Sequence, residues 1–569
     1  MNGSGANASC LSTDANSASN VIVINPGSLY LKIGRASDSV PLIVPQVIAR
    51  RNKSKNNAFP CLEDPFLVSA VKLDKETNKQ LCDVQHSVLN VLSSCLTSSG
   101  YSRNSTSKEK LSEFNKKVKP VVLPKSSQTI RCWTCVENKP DVLIGEDALY
   151  LKPSEPYHVR WPIRRGQLNV HSGIGGSINS IISDLERIWA YFIETKLNIN
   201  LKTLSNFKAV LTIPDVYNRN HVKELISMVL NGLGFGSCFI HHEAVFATFG
   251  AGLSSATVID VGDQKTSVCC VEDGFSPRCT RITLEYGGSD ITQVFHYLLK
   301  QRNFPYTECK SESRVGGLLL QELKENFCHL DINVCGVRER QFQVKIPEQP
   351  VLQYNILLGD ECLVAPLALF HPELFAVTGN NKKIRTLSRN EGDSEDPFDE
   401  NYLIQTKRKY GETTEASGGN ENLNNPNDQL CDEDLETCEV PVSGPDKEIK
   451  CDQLLGIDQA VMQCIDRCDN DDTKRRMYNC VLVVGGGINF KGIDTWLQSR
   501  LSVQIPLQYR TGQCVDIITN PKDIDPRCVV WKGAAVMSLL DTTQELWITK
   551  NEWENVGVRI VREKAPFVW

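Results

Sequence analysis

Residues 255–274, SATVIDVGDQKTSVCCVEDG, constrain the fold more than any other stretch of this chain. Two runs of β-branched and apolar residues, 256–260 and 266–271, flank the turn cluster Val261-Gly262-Asp263-Gln264. Gly262 can take positive φ and turn successive backbone N–H groups into one concavity, which is an anion site built without side chains. Asp260 ends the first strand, where a carboxylate can hold a metal through water, and the hydroxyls of Thr266 and Ser267 follow. This chemistry suits a hairpin that cradles nucleotide phosphates with a divalent cation. A second strand, glycine turn and strand occupies 21–34. Either hairpin alone is a weak signal, because most Gly/Asp turns between apolar strands only reverse the chain. Two of them far apart predict a duplicated α/β fold with a nucleotide clamped between its halves.

At 569 residues the chain is long for one core, so two or more lobes are expected. A formal net charge of −6, from 62 basic and 68 acidic residues, is nearly balanced. Any nucleic-acid surface must therefore be a local patch. No apolar run approaches the roughly 20 residues of a membrane helix. Residues 1–19 are small and polar, and are expected to be a disordered tail rather than a secretory signal. The chain is read as intracellular, with its 22 cysteines reduced and mostly buried.

Residues 52–141 read as irregular, with helical character near 77–94. Basic residues gather at 50–55 and from Arg103 through Lys108, Lys110, Lys116, Lys117 and Lys119 to Lys125. They suit phosphate-backbone contact or nuclear import, or else a solvated loop interspersed with Glu109 and Glu113. Cys132 and Cys135 lack two further ligands at zinc spacing and are read as structural. From 173 the pattern is α/β. Ile178, Ile181, Leu185, Ile188 and Phe192 mark a helix, 207–213 a buried strand stopped by Pro214, and 239–240 the start of a short strand. His241-His242-Glu243 is read as opening the next helix, where adjacent side chains point apart and do not suit a metal. Residues 380–450 lose hydrophobic periodicity and are acidic, as in an inserted disordered or partner-binding loop. Residues 481–487 are a buried strand running into Gly485-Gly486-Gly487, a junction that lets backbone approach a ligand. The block 531–569 reads as a compact α segment.

The order hairpin, α/β lobe, hairpin, α/β lobe, strand ending in Gly-Gly and late Trp-x-Gly-Ala helix resembles the actin superfamily. Residues 261–274, Tyr286-Gly287-Gly288-Ser289-Asp290, 541–548 and the terminal Phe567-Val568-Trp569 carry the resemblance. They are most similar to the nuclear actin-related subunits of INO-eighty-class chromatin-remodelling complexes. The resemblance spans about 21–569, interrupted at 52–141 and 380–450. It implies an α/β, actin-like (ribonuclease-H-like, duplicated) two-lobe fold with a central nucleotide cleft and two large insertions. The first lobe would comprise 20–51, 142–250 and 528–569, and the second 251–379 and 451–527. A divergent insertion, 52–141, would replace the small lobe, and 380–450 would be the acidic one.

Position by position, the resemblance implies ATP contacts from Ser28, Lys32, Asp260, Gly262, Asp263 and Gly288. Lys324, Glu325, Gly485, Gly486, Phe490 and Arg527 would complete the pocket, with Mg²⁺ held by Asp260 through water. The phosphate end departs from actin. Asn25 stands for a metal-associated aspartate, and Leu29 and Gln264 for turn glycines. Glu243 stands for the glutamine that positions water, Ser267 for a histidine, and Arg527 for a lysine. Phosphoryl transfer depends on positioning and charge stabilisation, so these changes imply ATP binding with little or no turnover. Glu243 leaves slow hydrolysis open.

The resemblance further implies a non-catalytic nuclear role in transcription regulation, DNA repair and recombination. The expected partners are a helix of a Snf2-type remodeller ATPase, nuclear actin, another actin-related protein, histones and linker DNA, with no membrane and no filament. The alternatives are an ATP-hydrolysing kinase or chaperone of the same fold, or a cytoskeletal actin-like protein. A kinase needs a sugar pocket and a cleft carboxylate, for which Asp260 is the one candidate. A chaperone needs a long substrate segment after the nucleotide domain. The insertions disfavour the cytoskeletal reading.

Overall fold

The computed structural model describes residues 18–52, 63–103, 108–124, 133–379, 384–386, 453–510 and 515–569. Expectations for residues 1–17, for Lys53, Lys55, Lys125 and Cys132, and for nearly all of 380–450 lie outside them. The two expected hairpins both form, because β-branched runs flank a turn that glycine can close. The first is β1 (Val21–Pro26) with β2 (Tyr30–Arg35), antiparallel from Ile22↔Arg35 to Pro26↔Leu31. To these add β3 (Leu42–Pro45), β4 (Lys208–Ile213) and β5 (Ser237–His242). The second hairpin is β6 (Ser255–Val261) with β7 (Thr266–Glu272), antiparallel from Ser255↔Glu272 to Val261↔Thr266. It is joined by β8 (Ile282–Leu284), β9 (Ile384–Arg385), β10 (Cys480–Val484) and β11 (Asp516–Ile518). A last short strand, β12 (Ile548–Thr549), returns to the first sheet.

The strand orders are β12-β5-β4-β1-β2-β3 and β9-β8-β7-β6-β10-β11. In each sheet an antiparallel triplet continues into two strands parallel to its first member. The same order therefore appears twice, which is the duplication the hairpins predicted. β1, β4 and β10 are apolar almost throughout, as strands covered on both faces must be.

Seven helices position the site and its supports. They are α1 (Lys75–Ser94), α2 (Lys108–Lys117), α3 (Ile178–Thr195), α4 (Glu243–Ala251), α5 (Gly288–Gln301), α6 (Arg314–Phe327) and α7 (Val529–Met537). Within 52–141, α1 forms where helical character was expected, and α2 is a helix in a stretch expected to be irregular. Asp74 caps α1 by accepting from Thr77 N at 2.7 Å, and Leu81, Gln85, Val88 and Leu92 bury one face. The segment is fastened to the second half of the chain. Val68 N donates to Ser289 Oγ at 2.9 Å, and Gln293 Nε2 to Val68 O at 2.7 Å. Asn115 Nδ2 donates to the Arg302 and Leu357 carbonyls, both at 3.1 Å.

The basic residues divide accordingly. Arg103 is buried and paired with Asp360 at 2.7 Å, and Arg50 is paired with Asp184. Both act as structural anchors, and Arg103 is too buried to contribute to a nucleic-acid surface. Lys110, Lys116, Lys117 and Lys119 are exposed.

Three further expectations change. His241 and His242 end β5 instead of opening a helix, because their backbones pair with Thr212 and Ile213. Both rings are buried in aromatic packing, with Phe567 centred 4.2 Å from His242. Ile548–Thr549 is a strand rather than part of an α segment, since it pairs with Ser237 and Cys238. Ile384–Arg385, inside the expected acidic insertion, adds to β8.

One helix crossing joins the halves. α4 runs from β5 of the first sheet to β6 of the second, and α7 lies across it. A Cβ on Gly533 would overlap the Phe246 carbonyl oxygen and lie 2.6 Å from Gly250 N. A Cβ on Gly250 would overlap Val529 O. Trp531 on α7 donates its indole N–H to Val23 O of β1 at 3.2 Å. The crossing sits in a core shared by Val21, Val258, Leu482 and Val529, so both sheets pack on it. Overpacking such a contact costs about 1–3 kcal/mol. We expect Gly533→Ala to lower unfolding free energy in urea by about 2 kcal/mol. An unchanged midpoint and slope would show that the crossing has slack.

Candidate functional site

The β6–β7 turn is the hub of the site. Gly262 N donates to Lys265 O at 2.9 Å, which closes the turn without the positive φ expected of Gly262 and engages its N–H within the turn. Two other backbones are stitched to it. Gly288 N donates to Gly262 O at 3.0 Å and Ser289 N to Asp263 O at 2.7 Å, which seats the start of α5. Gly487 N donates to Val261 O at 2.8 Å, which seats the glycine turn after β10. Glycine is needed here for close approach. A Cβ on Gly287 would lie 2.7 Å from the Gly262 and Asp263 carbonyl oxygens, and one on Gly487 would overlap Gly262 O. Gly485 has φ +96°, and its Cβ would lie 2.6 Å from Asp260 Oδ1, so this glycine seats the turn itself. Gly288 meets both the Gly487 backbone, 3.3 Å from its Cβ position, and a cationic side chain, and Gly486 meets a flexible cationic stem alone. A Cβ on the first would lie 3.4 Å from Lys324 Nζ, and one on the second 3.3 Å from Arg527 Cγ.

The first hairpin faces this hub. Gly27 N donates to Tyr30 O at 3.0 Å, and Ser28 Oγ accepts from Gly166 N at 3.1 Å. Asn25 and Leu29 are buried. Lys32 pairs in register with Asn25 and interacts electrostatically with Asp260 and Asp525 of the second half. Lys324 Nζ donates to Gly288 O at 2.9 Å, and Arg527 pairs with Asp525 at 2.6 Å. Glu325 is exposed and interacts with both Arg527 and Tyr30, while Phe490 is buried. Burial, then Glu325 and Asp263, push the Tyr30 phenol up to about 12. Burial raises the Asp263 carboxyl against the pull of Lys324.

The hub thus gathers Asp260, Gly262, Asp263, Gly288, Lys324, Gly485 and Gly486. Lys32 reaches it electrostatically from the first hairpin, whereas Ser28 is engaged by Gly166 N, and Glu325 and Arg527 lie together at its margin.

Behind the turn lies a charged floor. Lys265 Nζ forms an ion pair with Glu243 Oε2 and donates to Ser267 Oγ at 3.4 Å. Asp260 and Asp215 interact with the same ammonium. Burial and then Glu243 raise the Asp260 carboxyl, against Lys265 and Lys32. Arg165, at φ +50°, bridges from the first half to this turn. Its N donates to Gln264 Oε1 at 3.2 Å and its guanidinium to Asp290 Oδ2 at 2.6 Å.

Lys265, Arg165 and Tyr30 are the positions that sequence reasoning missed. Lys265 had a signal, since it shares strand parity with Ser267 and so faces the same side. Arg165 had a fainter one, two adjacent cations before a glycine. Among the described residues no group of three or more His, Cys, Asp or Glu is arranged to hold a metal, and the described cysteines are free thiols. No single described helix is long and apolar enough to cross a membrane.

The actin family model matches residues 16–566. The sequence is 43% identical to actin-related protein 8 of Homo sapiens, over 96% of this chain and 92% of the relative. It is 44% identical to actin-related protein 8 of Aedes aegypti, over 97% and 98% respectively. A solved structure, human actin-related protein Arp8 in its ATP-bound state, superposes with a TM-score of 0.83 at 40% identity, covering 97% of each chain.

Asp215 offers a check on the floor's electrostatics. Burial, then the neighbouring Glu243, push its carboxyl from 3.8 up to about 6, against Lys265 and Arg281. The folded chain therefore holds a proton that the unfolded chain releases. That contribution is complete below the ordinary aspartate value and is lost as pH rises through about 6. Wild type should lose about 2–3 kcal/mol relative to Asp215→Asn between pH 4 and pH 7. Urea unfolding of both proteins across that range measures it, and a difference that does not vary with pH would contradict the assignment.

Proposed function

The chain belongs to the actin family, in its actin-related protein 8 branch, and on that premise we propose that it binds ATP in this cleft without turning it over. The observation that carries the reading is the hub at Gly262, where three backbones meet beside Lys324 and opposite Lys32. The residues present fit the nucleotide. Two glycine-containing turns meet the site, with the Gly27 and Gly262 N–H groups closing the turns themselves, and Lys32 supplies a charge for the phosphates. Gly486 leaves room bordered by the flexible Arg527 stem, Gly288 packs against the Gly487 backbone beside Lys324, and Lys324, Glu325, Phe490 and Arg527 would hold the nucleoside. ATP would supply charge and base recognition that close the two halves on one another. The magnesium expected through Asp260 does not fit as well. Asn25 lacks the second carboxylate, and Asp260 already lies among Lys32, Lys265 and Glu243.

At the level of the cell, we propose a nuclear, non-catalytic subunit of an INO-eighty-class chromatin-remodelling complex, acting in transcription regulation and DNA repair. Its partners would be a helix of the Snf2-type remodeller ATPase, nuclear actin, another actin-related protein, histones and linker DNA. Likeness to actin-related protein 8 along almost the whole chain supports this reading. So do the exposed lysines of α2 and its C-terminal flank, a basic patch on a mildly acidic chain.

Lys32→Ala should weaken ATP binding by about 10- to 100-fold, since a charged hydrogen-bond partner is worth about 1.5–3 kcal/mol. A fluorescent-nucleotide titration reads this directly, and undiminished affinity would remove Lys32 from the site. Purified chain should show no steady-state ATP turnover, and turnover that Asp260→Ala abolishes would overturn the non-catalytic reading. Affinity capture from nuclear extract at moderate salt should recover a large Snf2-type ATPase together with actin. Recovery of the chain alone would remove the scaffold role.

A further inference from the structure

The cleft floor holds three carboxylates within one charge network. Glu243 opens α4, and Asp260 lies near the end of β6. Asp215 follows β4, its Oδ1 accepting from Ala244 N at 3.2 Å. One cation enters from the phosphate turn itself. The ammonium of Lys265 pairs with Glu243 and reaches Ser267 Oγ at 3.4 Å. The stem is covered from the first half of the chain, where a Cβ on Gly166 would overlap Lys265 Cδ. Lys265 is 8% exposed and Glu243 7%. The preceding residue, Gln264, is pinned by Arg165 N, so the turn that carries Lys265 is itself held across the cleft. Buried charges persist only when partnered, and this pair is partnered within the chain. Burial alone would lower the ammonium, but Glu243, Asp260 and Asp215 outweigh it and keep the group charged.

We propose that Lys265 is a built-in cation of the nucleotide site, standing in beside Asp260 and Glu243 for the charge of a divalent metal. A nucleoside triphosphate then binds here without requiring a metal. Glu243 is held as an ion-pair partner and is not free to take a proton from water. This rests on reading the cleft as a nucleotide site. It also goes further, because it assigns a role to a residue outside the expected pocket and specifies how binding responds to metal.

The test is calorimetric titration of the nucleotide-stripped full-length chain with ATP, once with Mg²⁺ and once with excess EDTA. Wild-type affinity should differ between the buffers by less than about threefold. Lys265→Arg, which keeps the charge, should behave as wild type. Lys265→Met should lose about tenfold or more in EDTA and recover with Mg²⁺. Lys265→Met leaves Glu243 buried without a partner and can fail to fold. The double variant Lys265→Met/Glu243→Gln removes both charges and should show the same new dependence on Mg²⁺. Wild-type binding that falls about tenfold or more in EDTA overturns the proposal while leaving the nucleotide reading intact. So does a double variant that ignores Mg²⁺. No ATP binding by wild type in either buffer overturns the nucleotide reading itself, and the proposal with it.

Discussion

The close crossing of α4 and α7 is the contact on which the rest of the structure depends. At Gly250 and Gly533 the two helices meet backbone against backbone, with no room for a methyl group. α4 leaves the first sheet and enters the second, so its placement fixes the distance between the two hairpins. Its first residue, Glu243, is delivered to the cleft floor, and its C-terminal Gly252 takes φ +73° to turn the chain into β6. α7 begins two residues after Arg527 and carries Trp531 onto β1. A slack crossing would let the hairpins drift apart, and no local feature of either one would restore their facing.

Around that crossing the molecule compensates its buried charges pair by pair. Arg165 with Asp290, Arg103 with Asp360, Arg302 with Glu361 and Lys265 with Glu243 each unite distant segments. Such pairs add little net stability over apolar packing, yet losing one partner strands a buried charge. They therefore act chiefly as specificity devices for where segments dock. Arg103 fastens the 63–124 segment to the second half of the chain, and Arg165 fastens the first half to the phosphate turn. Lys265 differs in its place, because it stands in the Gly262 turn beside Asp260 and Glu243.

Much of the fold was legible because its signals are local. β-branched runs around Gly27 and Gly262, helical spacing from Ile178 to Phe192, and the glycines at 287–288 and 485–487 all act over a few residues. Their order along the chain sufficed to suggest a duplicated fold and a nucleotide cleft. The glycine positions of the site were legible for the same reason, since a backbone that must approach another backbone excludes side chains.

Other features depended on partners far away in sequence. His241 and His242 lie in a strand because Thr212 and Ile213 pair with them, and Ile548 because Cys238 does. Arg103 looked like part of a basic surface until Asp360 closed on it. Lys265 was in plain view within the phosphate turn, but its direction was set by Glu243, 22 positions earlier, and by Gly166 from the other half of the chain. The sequence by itself determined the hairpins, their glycine turns and the duplicated plan, because backbone conformation there follows from neighbouring residues. Only the tertiary structure decided which charges met in the cleft. A side chain's electrostatic partner is chosen by three-dimensional proximity, and burial removes the water that would otherwise screen the choice.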